Sequence, residues 1–217
     1  REWDIREAWR GASPARYDLL VHLAAANDVD CVDAALALQV NALGTRHALE
    51  FCRAHAVPAI IYVSTFQVYG VWHGTVTDDT PPAPANDYGV THWFAEEYVR
   101  MYGRTGGPDH VILRPTNIYG APAHRDVDRW SLVPNCFCRE AVESGVITLR
   151  SSGLQARDFI SLTSLADRIA GVATRLNAFR NRTYTVGCGG GITIREIALL
   201  VAQRYEARFG LACELRV

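Results

Sequence analysis

The chain has 217 residues, 49% of them apolar and 21% charged, with a formal net charge of -1. That is enough for one globular core with a small second lobe, and without a Lys/Arg-rich block it lacks the electrostatic footprint of a nucleic-acid or anionic-membrane binder. No apolar run approaches the roughly 20 residues of a bilayer span and no cationic leader opens the chain, so a cytoplasmic location is the expectation.

The predicted elements alternate along the chain. Residues 17–25 form an apolar run of strand length, and a helical pattern follows over 32–55, with Leu36, Val40, Leu43 and Ala48 at helical spacing. Val57-Pro58 stops it, and residues 59–65 read as a second strand, apolar on both faces. Residues 66–87 make a Pro-, Gly-, Thr- and Asp-rich loop, too long for a simple connection and therefore a functional candidate. Asp87 is placed to cap a helix over 88–104. A third strand over 110–114 leads to a second long loop at 115–128. Then come a helix at 130–144, strands at 146–150 and 158–161, a helix at 162–176, a strand at 183–186 and a helix at 193–209. Residues 214–217 look like the start of another strand. Alternating strands and helices imply a doubly wound parallel α/β sheet, whose ligand crevice lies beyond the carboxyl ends of its strands.

Six cysteines (Cys31, Cys52, Cys136, Cys138, Cys188 and Cys213) form no Cys-x-x-Cys pair and match no histidine spacing. Free thiols and no metal site are expected.

Thr65, at a strand end, and Tyr88, at a helix start, are the pair whose chemistry can be read. A hydroxyl can bond a substrate oxygen while a phenol gives or accepts its proton. A free phenol, with a pKa near 10, is too weakly acidic to serve as a base at neutral pH. A cation at about 5 Å, at an effective dielectric near 20, favours the phenolate by about 3 kcal/mol, or roughly two pK units. One helical turn beyond Tyr88 stands His92, an imidazole that is mostly neutral near pH 7.5 when unperturbed.

Several ordered blocks resemble the extended short-chain dehydrogenase/reductase family, in its NAD-dependent nucleotide-sugar epimerase and dehydratase group. Asp4-Ile5-Arg6 is similar to the family's pair at the adenine, His22-Leu23-Ala24-Ala25 to its strand along the cofactor, and Asn41-Ala42-Leu43-Gly44-Thr45 to its Asn-x-x-Gly-Thr helix. Ser64-Thr65-Phe66-Gln67-Val68-Tyr69-Gly70 resembles the block that supplies a catalytic Ser or Thr. Tyr88 to His92 falls on Tyr-x-x-x-Lys. Leu113-Arg114-Pro115-Thr116-Asn117-Ile118-Tyr119-Gly120 matches the block under the nicotinamide and sugar, and Arg157-Asp158-Phe159 the stretch whose arginine meets a nucleotide diphosphate.

The resemblance implies a Rossmann-like sheet, incomplete at its N-terminus, over 1–120 and 158–178, with a small substrate-binding lobe over 121–157 and 179–217. It implies Thr65, Tyr88 and His92 as catalytic residues. Asp4, Ile5, Leu23, Ala24, Ala25, Asn41, Ser64, Tyr88, His92 and Pro115 are the implied cofactor contacts, and Thr65, Gln67, Asn117 and Arg157 the substrate contacts. The implied cofactor is NAD, with NADP as the alternative, the substrate a nucleotide-diphosphate sugar, and the assembly a homodimer through the helices at 32–55 and 88–104.

Two departures stand out. The glycine-rich pyrophosphate turn of the family is absent, and Arg1 is not a methionine, so the chain is expected to be part of a longer protein. Gly187-Cys188-Gly189-Gly190-Gly191 carries Ile192 where a third motif glycine would be needed and reads as a strand-to-helix turn. The second departure is His92 in the lysine position. It is either a working substitute, with turnover falling as pH rises through its pKa, or a helix-surface residue of a degraded site.

Phe66 and Gln67 stand where 4,6-dehydratases resembling this chain carry an Asp-Glu pair, so dehydration is not expected. Epimerase-like chemistry is, with a keto-sugar reductase or dehydrogenase as the alternative and a non-catalytic dinucleotide-binding member as the other. Arg157 suits a diphosphate by its fork but could instead pair with Asp158 or Asp167. Asn117 could equally cap a turn. Arg114 is expected to be structural and His22 a satisfied core histidine. His73 and His124, in the long loops, could touch substrate, and Trp72, Trp93 and Trp130 are expected to pack.

Overall fold

The structure is a computed structural model that describes residues 3–11, 16–70, 74–77, 79–124 and 126–217. Trp72 and His73 lie outside the described residues. In chain order the elements are β1 Leu20–His22, a 3-10 turn Asp30–Val32, α1 Ala34–Ala37, a π segment Leu38–Leu43, α2 Gly44–Ala54, β2 Ala59–Val63 and a 3-10 turn Phe66–Tyr69. They continue with α3 Asp87–Arg104, β3 Asp109–Pro115, β4 Asn117–Tyr119, α4 Val133–Ser144, β5 Val146–Thr148, β6 Ala156–Arg157, β7 Phe159–Ser161 and α5 Leu162–Thr174. The last are α6 Leu176–Phe179, β8 Arg182–Val186, β9 Ile192–Thr193, α7 Ile194–Phe209 and β10 Glu214–Arg216.

The chain folds as two compact units, the first running to Pro115 and taking in Asp167–Val186, the second comprising Thr116–Ala166 and Gly187–Val217. These limits differ from the expected ranges for a local reason. β8 pairs in parallel with β3, Leu113 against Tyr184, which makes it a strand of the first unit. β4 pairs in parallel with β7, Ile118 against Ile160, inside the second: the expected strand at 158–161 forms, and its partner lies in the stretch the sequence suggested was loop.

The first unit holds a four-stranded sheet in the order β1-β2-β3-β8, every neighbour parallel, with Leu20 against Ile60 and Ile60 against His110. β2 and β3 are buried on both faces, as strands covered by helices must be. Leu49 of α2 and Ala95, Val99 and Tyr102 of α3 pack on Ile60, Tyr62 and Ile112. The expected helix over 32–55 starts at Ala34, with Asp33 accepting from the Ala35 and Leu36 amides, and passes through the π segment around Asn41 before α2. An α-helical pattern carries no signal for such an extra-residue turn, which is frequent at functional sites. The cap of α3 is Asn86 rather than Asp87: its side chain accepts from the Gly89 amide. β1 spans three residues, and Leu23, Ala24 and Ala25 beyond it are exposed.

In the second unit α4 and α7 share a core of Phe137, Ala141, Ile147, Leu149, Ile194, Ile197 and Ala198. β10 pairs in parallel with β5, so the expected strand at 214–217 does form. Thr193 and Glu196 close a reciprocal capping box at the start of α7.

Candidate active site

Carboxyl ends of parallel strands gather the candidate residues of the first unit. Leu23, Ala24 and Ala25 follow β1, Ser64 and Thr65 follow β2, and Pro115 ends β3. Leu23 is 62% exposed and Thr65 7%, so this rim has an open apolar shelf beside a buried hydroxyl. Thr65 caps the 3-10 turn at Phe66–Tyr69, its oxygen accepting the Gln67 amide at 3.2 Å, which leaves its hydroxyl hydrogen for an acceptor outside the turn.

That turn is docked on the start of α3, which carries Tyr88. Asn86 donates its side-chain amide to Gln67 Oε1 at 2.8 Å. At Gly89 a Cβ would lie 2.7 Å from the Gln67 carbonyl oxygen, so only glycine lets the two segments approach this closely. Gly89, the residue after Tyr88, thus has a steric reason to be glycine: it lets the start of α3 dock on the turn that Thr65 caps. Gln67, expected at substrate, is in part a strut of this contact.

His92 is buried, 1% exposed, which removes the helix-surface reading. Its ring meets the Tyr88 ring edge-on at 4.6 Å and its Nδ1 is 2.7 Å from the Tyr62 hydroxyl. Its Nε2 is buried with no hydrogen-bond partner among the described residues. Burial pulls the His92 pKa from 6.5 down to about 4, Glu96 opposing and His22 adding to the fall. The expected pH limb is therefore corrected. At neutral pH His92 carries no charge, and a loss of activity on its deprotonation would belong near pH 4. Imidazole here is a hydrogen-bonding group and not a cation.

Behind it lies a second closed set of bonds. The Thr45 hydroxyl donates to the Asn41 carbonyl at 2.6 Å, so its 2.9 Å contact with His22 Nε2 is donated by the histidine. His22, 4% exposed, is the satisfied core histidine expected, its pKa lowered to about 4 by burial.

Ser64 enters a buried charge cluster that the sequence did not suggest. Its hydroxyl donates to Glu96 Oε1 at 2.7 Å, and the Arg114 fork bonds both Glu96 oxygens at 2.8 and 2.6 Å. Arg100 adds a third partner to Glu96 at 2.7 Å and bonds the Thr183 hydroxyl of β8. Burial raises the Glu96 pKa, but the Arg114 bond and charge, with Ser64 and Arg100, outweigh it and leave the carboxyl below its usual value. Arg114 is structural, as expected, with its guanidinium over the Tyr69 ring at 4.7 Å.

Three expected cofactor contacts already have their side-chain polar atoms engaged. Ser64 is spent on Glu96. Asn41, 1% exposed, accepts the Ala26 amide at 2.7 Å and donates to Thr91 at 3.0 Å, tying the segment after β1 to α3. The Asp4 carboxylate is held by the Arg6 guanidinium, which lowers its pKa to about 2. Ile5 offers its carbonyl to His47 Nδ1 at 2.9 Å. These side chains are spent on the protein's own bonds.

In the second unit Asn117 lies on β4, its side chain donating to the Asp158 carbonyl at 2.8 Å, which makes it a tie across the β4–β7 ladder. Arg157 lies on β6, donating to the Ala156 carbonyl at 3.1 Å. The glycine run after β8 is a turn, as expected, and its anion is the protein's own. Asp158 accepts the amides of Cys188, Gly189 and Gly190 and the Thr116 hydroxyl. Among the described residues no cluster of three His, Cys, Asp or Glu could hold a metal, and the six cysteines are free.

The order and chemistry of the residues pointed to Thr65, Tyr88 and His92 but missed Tyr62, Glu96 and Asn86. An uncharged polar ring in the inward row of β2, facing an unusual histidine, was the one available signal for Tyr62.

Known proteins resemble this chain in sequence and fold. A model for the NAD dependent epimerase/dehydratase family matches residues 3–187. The chain is 28% identical to dTDP-glucose 4,6-dehydratase of Streptomyces griseus over 95% of its own length, and 29% identical to the uncharacterized UDP-glucose epimerase YtcB of Bacillus subtilis (strain 168) over 69%. It spans 62% and 45% of those relatives, less than two thirds of their length. The crystal structure of Thermus thermophilus UDP-glucose 4-epimerase in complex with NAD is similar at a TM-score of 0.75 and 29% identity, covering 93% of this chain and 65% of that one. The parallel sheet, the ordered motifs and a family match over most of the residues agree: the chain belongs to the NAD-dependent epimerase/dehydratase family.

Proposed function

We propose that this chain carries the proton-transfer side of an NAD-dependent oxidoreduction at a nucleotide-sugar carbinol, 4-epimerase-like in type. The observation that carries the reading is the buried His92 Nε2, without a partner among the described residues, beside the Tyr88 ring. A buried polar atom left unbonded costs about 1–3 kcal/mol, and a ribose hydroxyl is a group that would satisfy it. The exposed Leu23, Ala24 and Ala25 and the buried Pro115 fit the flat faces of a dinucleotide. NAD, when bound, would supply the hydride acceptor and donor. His92 and Tyr88 would hold it, with Ser64 contributing through its backbone; Asp4, Ile5 and Asn41 would contribute to the walls of its cleft.

Tyr88 takes the carbinol proton as the carbinol is oxidised and gives it back on reduction. Thr65 donates its hydroxyl hydrogen to the same oxygen. With His92 neutral, it supplies orientation and leaves the Tyr88 phenol without the roughly two-unit help a cation would give. Phe66 and Gln67 hold no titratable group, and Gln67 is bonded to Asn86, which disfavours water elimination even though dehydratases are among the relatives. Asn117 and Arg157 are the proposed contacts to the nucleotide diphosphate and sugar. NADP in place of NAD, and reduction of a keto-sugar in place of epimerisation, are variants of the same chemistry.

Leu38, Leu43, Phe94 and Met101 line one apolar surface hollow with Glu97 and Arg104 at its edge, and supply the face for a homodimer. No helix among the described residues is long and apolar enough to cross a membrane. A cytoplasmic site of action is part of the proposal.

The test is to give the full-length protein NAD and a panel of UDP- and dTDP-sugars, following NADH absorbance and products by NMR, with Tyr88→Phe as control. Conversion of a sugar to its 4-epimer, abolished in the control, is the expected result. A second reading, a member that binds the dinucleotide without turnover, is favoured by the uncharged His92 and would show as NAD binding with no sugar converted. Failure to bind NAD overturns both.

A further inference from the structure

We propose that Tyr62 is the positioning residue for His92: its phenol O–H donates to Nδ1 and thereby fixes the tautomer that presents Nε2–H as an open donor beside Tyr88. The inference rests on the function proposed above, in that Nε2 is read as the atom that meets a cofactor hydroxyl.

Donor and acceptor strength decides between two arrangements. The Tyr62–His92 contact, 2.7 Å long, can be made in either direction. If the phenol donates, its single hydrogen is used, Nδ1 is satisfied and one donor, Nε2–H, remains. If Nδ1–H donates, the phenol hydrogen turns to the Thr45 hydroxyl oxygen, which has a second lone pair beside the one that takes the His22 Nε2–H, and the Nε2 lone pair is left, in a region where Tyr62 and His92 are each 1% exposed. Each arrangement leaves one orphan at Nε2, so the bond itself chooses. A phenol O–H, the more acidic donor, on an imidazole nitrogen, the more basic acceptor, is a stronger bond than an imidazole N–H on a phenol oxygen. The phenol cannot escape the role by ionising, since burial, with Glu96 and Tyr88 adding, holds its pKa well above 10.

Geometry gives the ring little freedom. Tyr62 is held at Ile112 by the β2–β3 register and packed in the core of Leu49, Ala95 and Val99. The Tyr62 ring lies 5.4 Å from His22 and 6.0 Å from His92, and the Tyr88 ring lies 4.6 Å from His92. An imidazole packed against two rings and pinned at one nitrogen is oriented at the other. The phenol thus lets a short, neutral side chain serve at a position where the family carries a longer charged one.

The test is a long-range proton–nitrogen correlation spectrum of the cofactor-free, full-length protein labelled in histidine, recorded near neutral pH, with His92 identified by its loss in His92→Gln. The expected spectrum shows His92 as a single tautomer protonated at Nε2. Tyr62→Phe, which removes only the hydroxyl, should give a mixture of tautomers and roughly tenfold weaker NAD binding by calorimetry, with an unchanged circular dichroism spectrum. A wild-type His92 protonated at Nδ1 overturns the proposal whether or not the variant folds. So does a folded Tyr62→Phe protein that keeps the single tautomer. Absence of NAD binding in the unaltered protein counts against the proposed function and not against the tautomer, which the spectrum decides alone.

Discussion

Acid should destabilise this protein well above the pH at which its carboxylates titrate, because two buried histidines are neutral in the folded state. Burial lowers both His22 and His92 from 6.5 to about 4. A depressed folded-state pKa means that the unfolded chain binds protons first as pH falls. The stability these neutral rings contribute is complete above about pH 6.5, declines below it and is gone by about pH 4. The fall from 6.5 to about 4, at 1.36 kcal/mol per pH unit, gives about 3 kcal/mol for each ring, and both rings are buried, so little is lost to solvent screening. Because His22 is itself one cause of the His92 shift, the two together are worth somewhat less than twice that. His92→Gln removes one titration while keeping an amide for Tyr62. Urea unfolding at intervals from about pH 7 to 4.5 should show the wild-type protein losing about 2.5 kcal/mol more than the variant. Parallel losses in the two proteins would refute the claim that His92 is held neutral by its surroundings.

Glu96→Gln should lower stability by about 3–5 kcal/mol in thermal or urea unfolding, because it leaves Arg114 buried without its carboxylate. In the wild type this contribution disappears only as pH falls through the lowered Glu96 pKa, below the histidine window. Gly89→Ala drives a Cβ to within 2.7 Å of the Gln67 carbonyl and should displace Thr65 from Tyr88, cutting kcat at least tenfold for about 1–3 kcal/mol of stability; an unchanged kcat would deny that this contact sets the site. Phe94→Glu, on an exposed apolar face, should shift sedimentation from dimer to monomer while leaving the circular dichroism spectrum intact.

What the sequence disclosed follows from what each signal encodes. Two-face apolar runs located β2 and β3 because hydrophobic burial is written residue by residue. β4 escaped notice because Asn117-Ile118-Tyr119 is partly exposed and is held by its ladder to β7, a partner far along the chain. The π segment escaped because one extra residue in a turn barely disturbs an apolar stripe. Thr65 and Tyr88 could be chosen from order and chemistry. The engagement of Asn41, Ser64 and Asp4 could not, since each is settled by a partner that spacing alone does not pair with it: Thr91, Glu96 and Arg6.

His92 shows how far a single position is decided by its neighbours. Read on α3 alone, it is a weak base one turn from a phenol, and the natural expectation is a pH-dependent cation. Placed against Tyr62 and His22 in a dry core, the same imidazole is driven neutral, because burial outweighs the pull of Glu96 and another histidine stands near. The site then keeps the directional half of what a lysine would supply and gives up the charged half. If turnover is observed, the Tyr88 proton must move without a permanent cation at position 92, and His92→Lys becomes informative in a new way. A lysine there would enter a buried site beside His22, where burial depresses its own pKa. The variant should therefore lose stability, and gain rate only at pH values below that depressed pKa. A rate gain that persists to about pH 10 would mean that position 92 is far wetter than its burial implies.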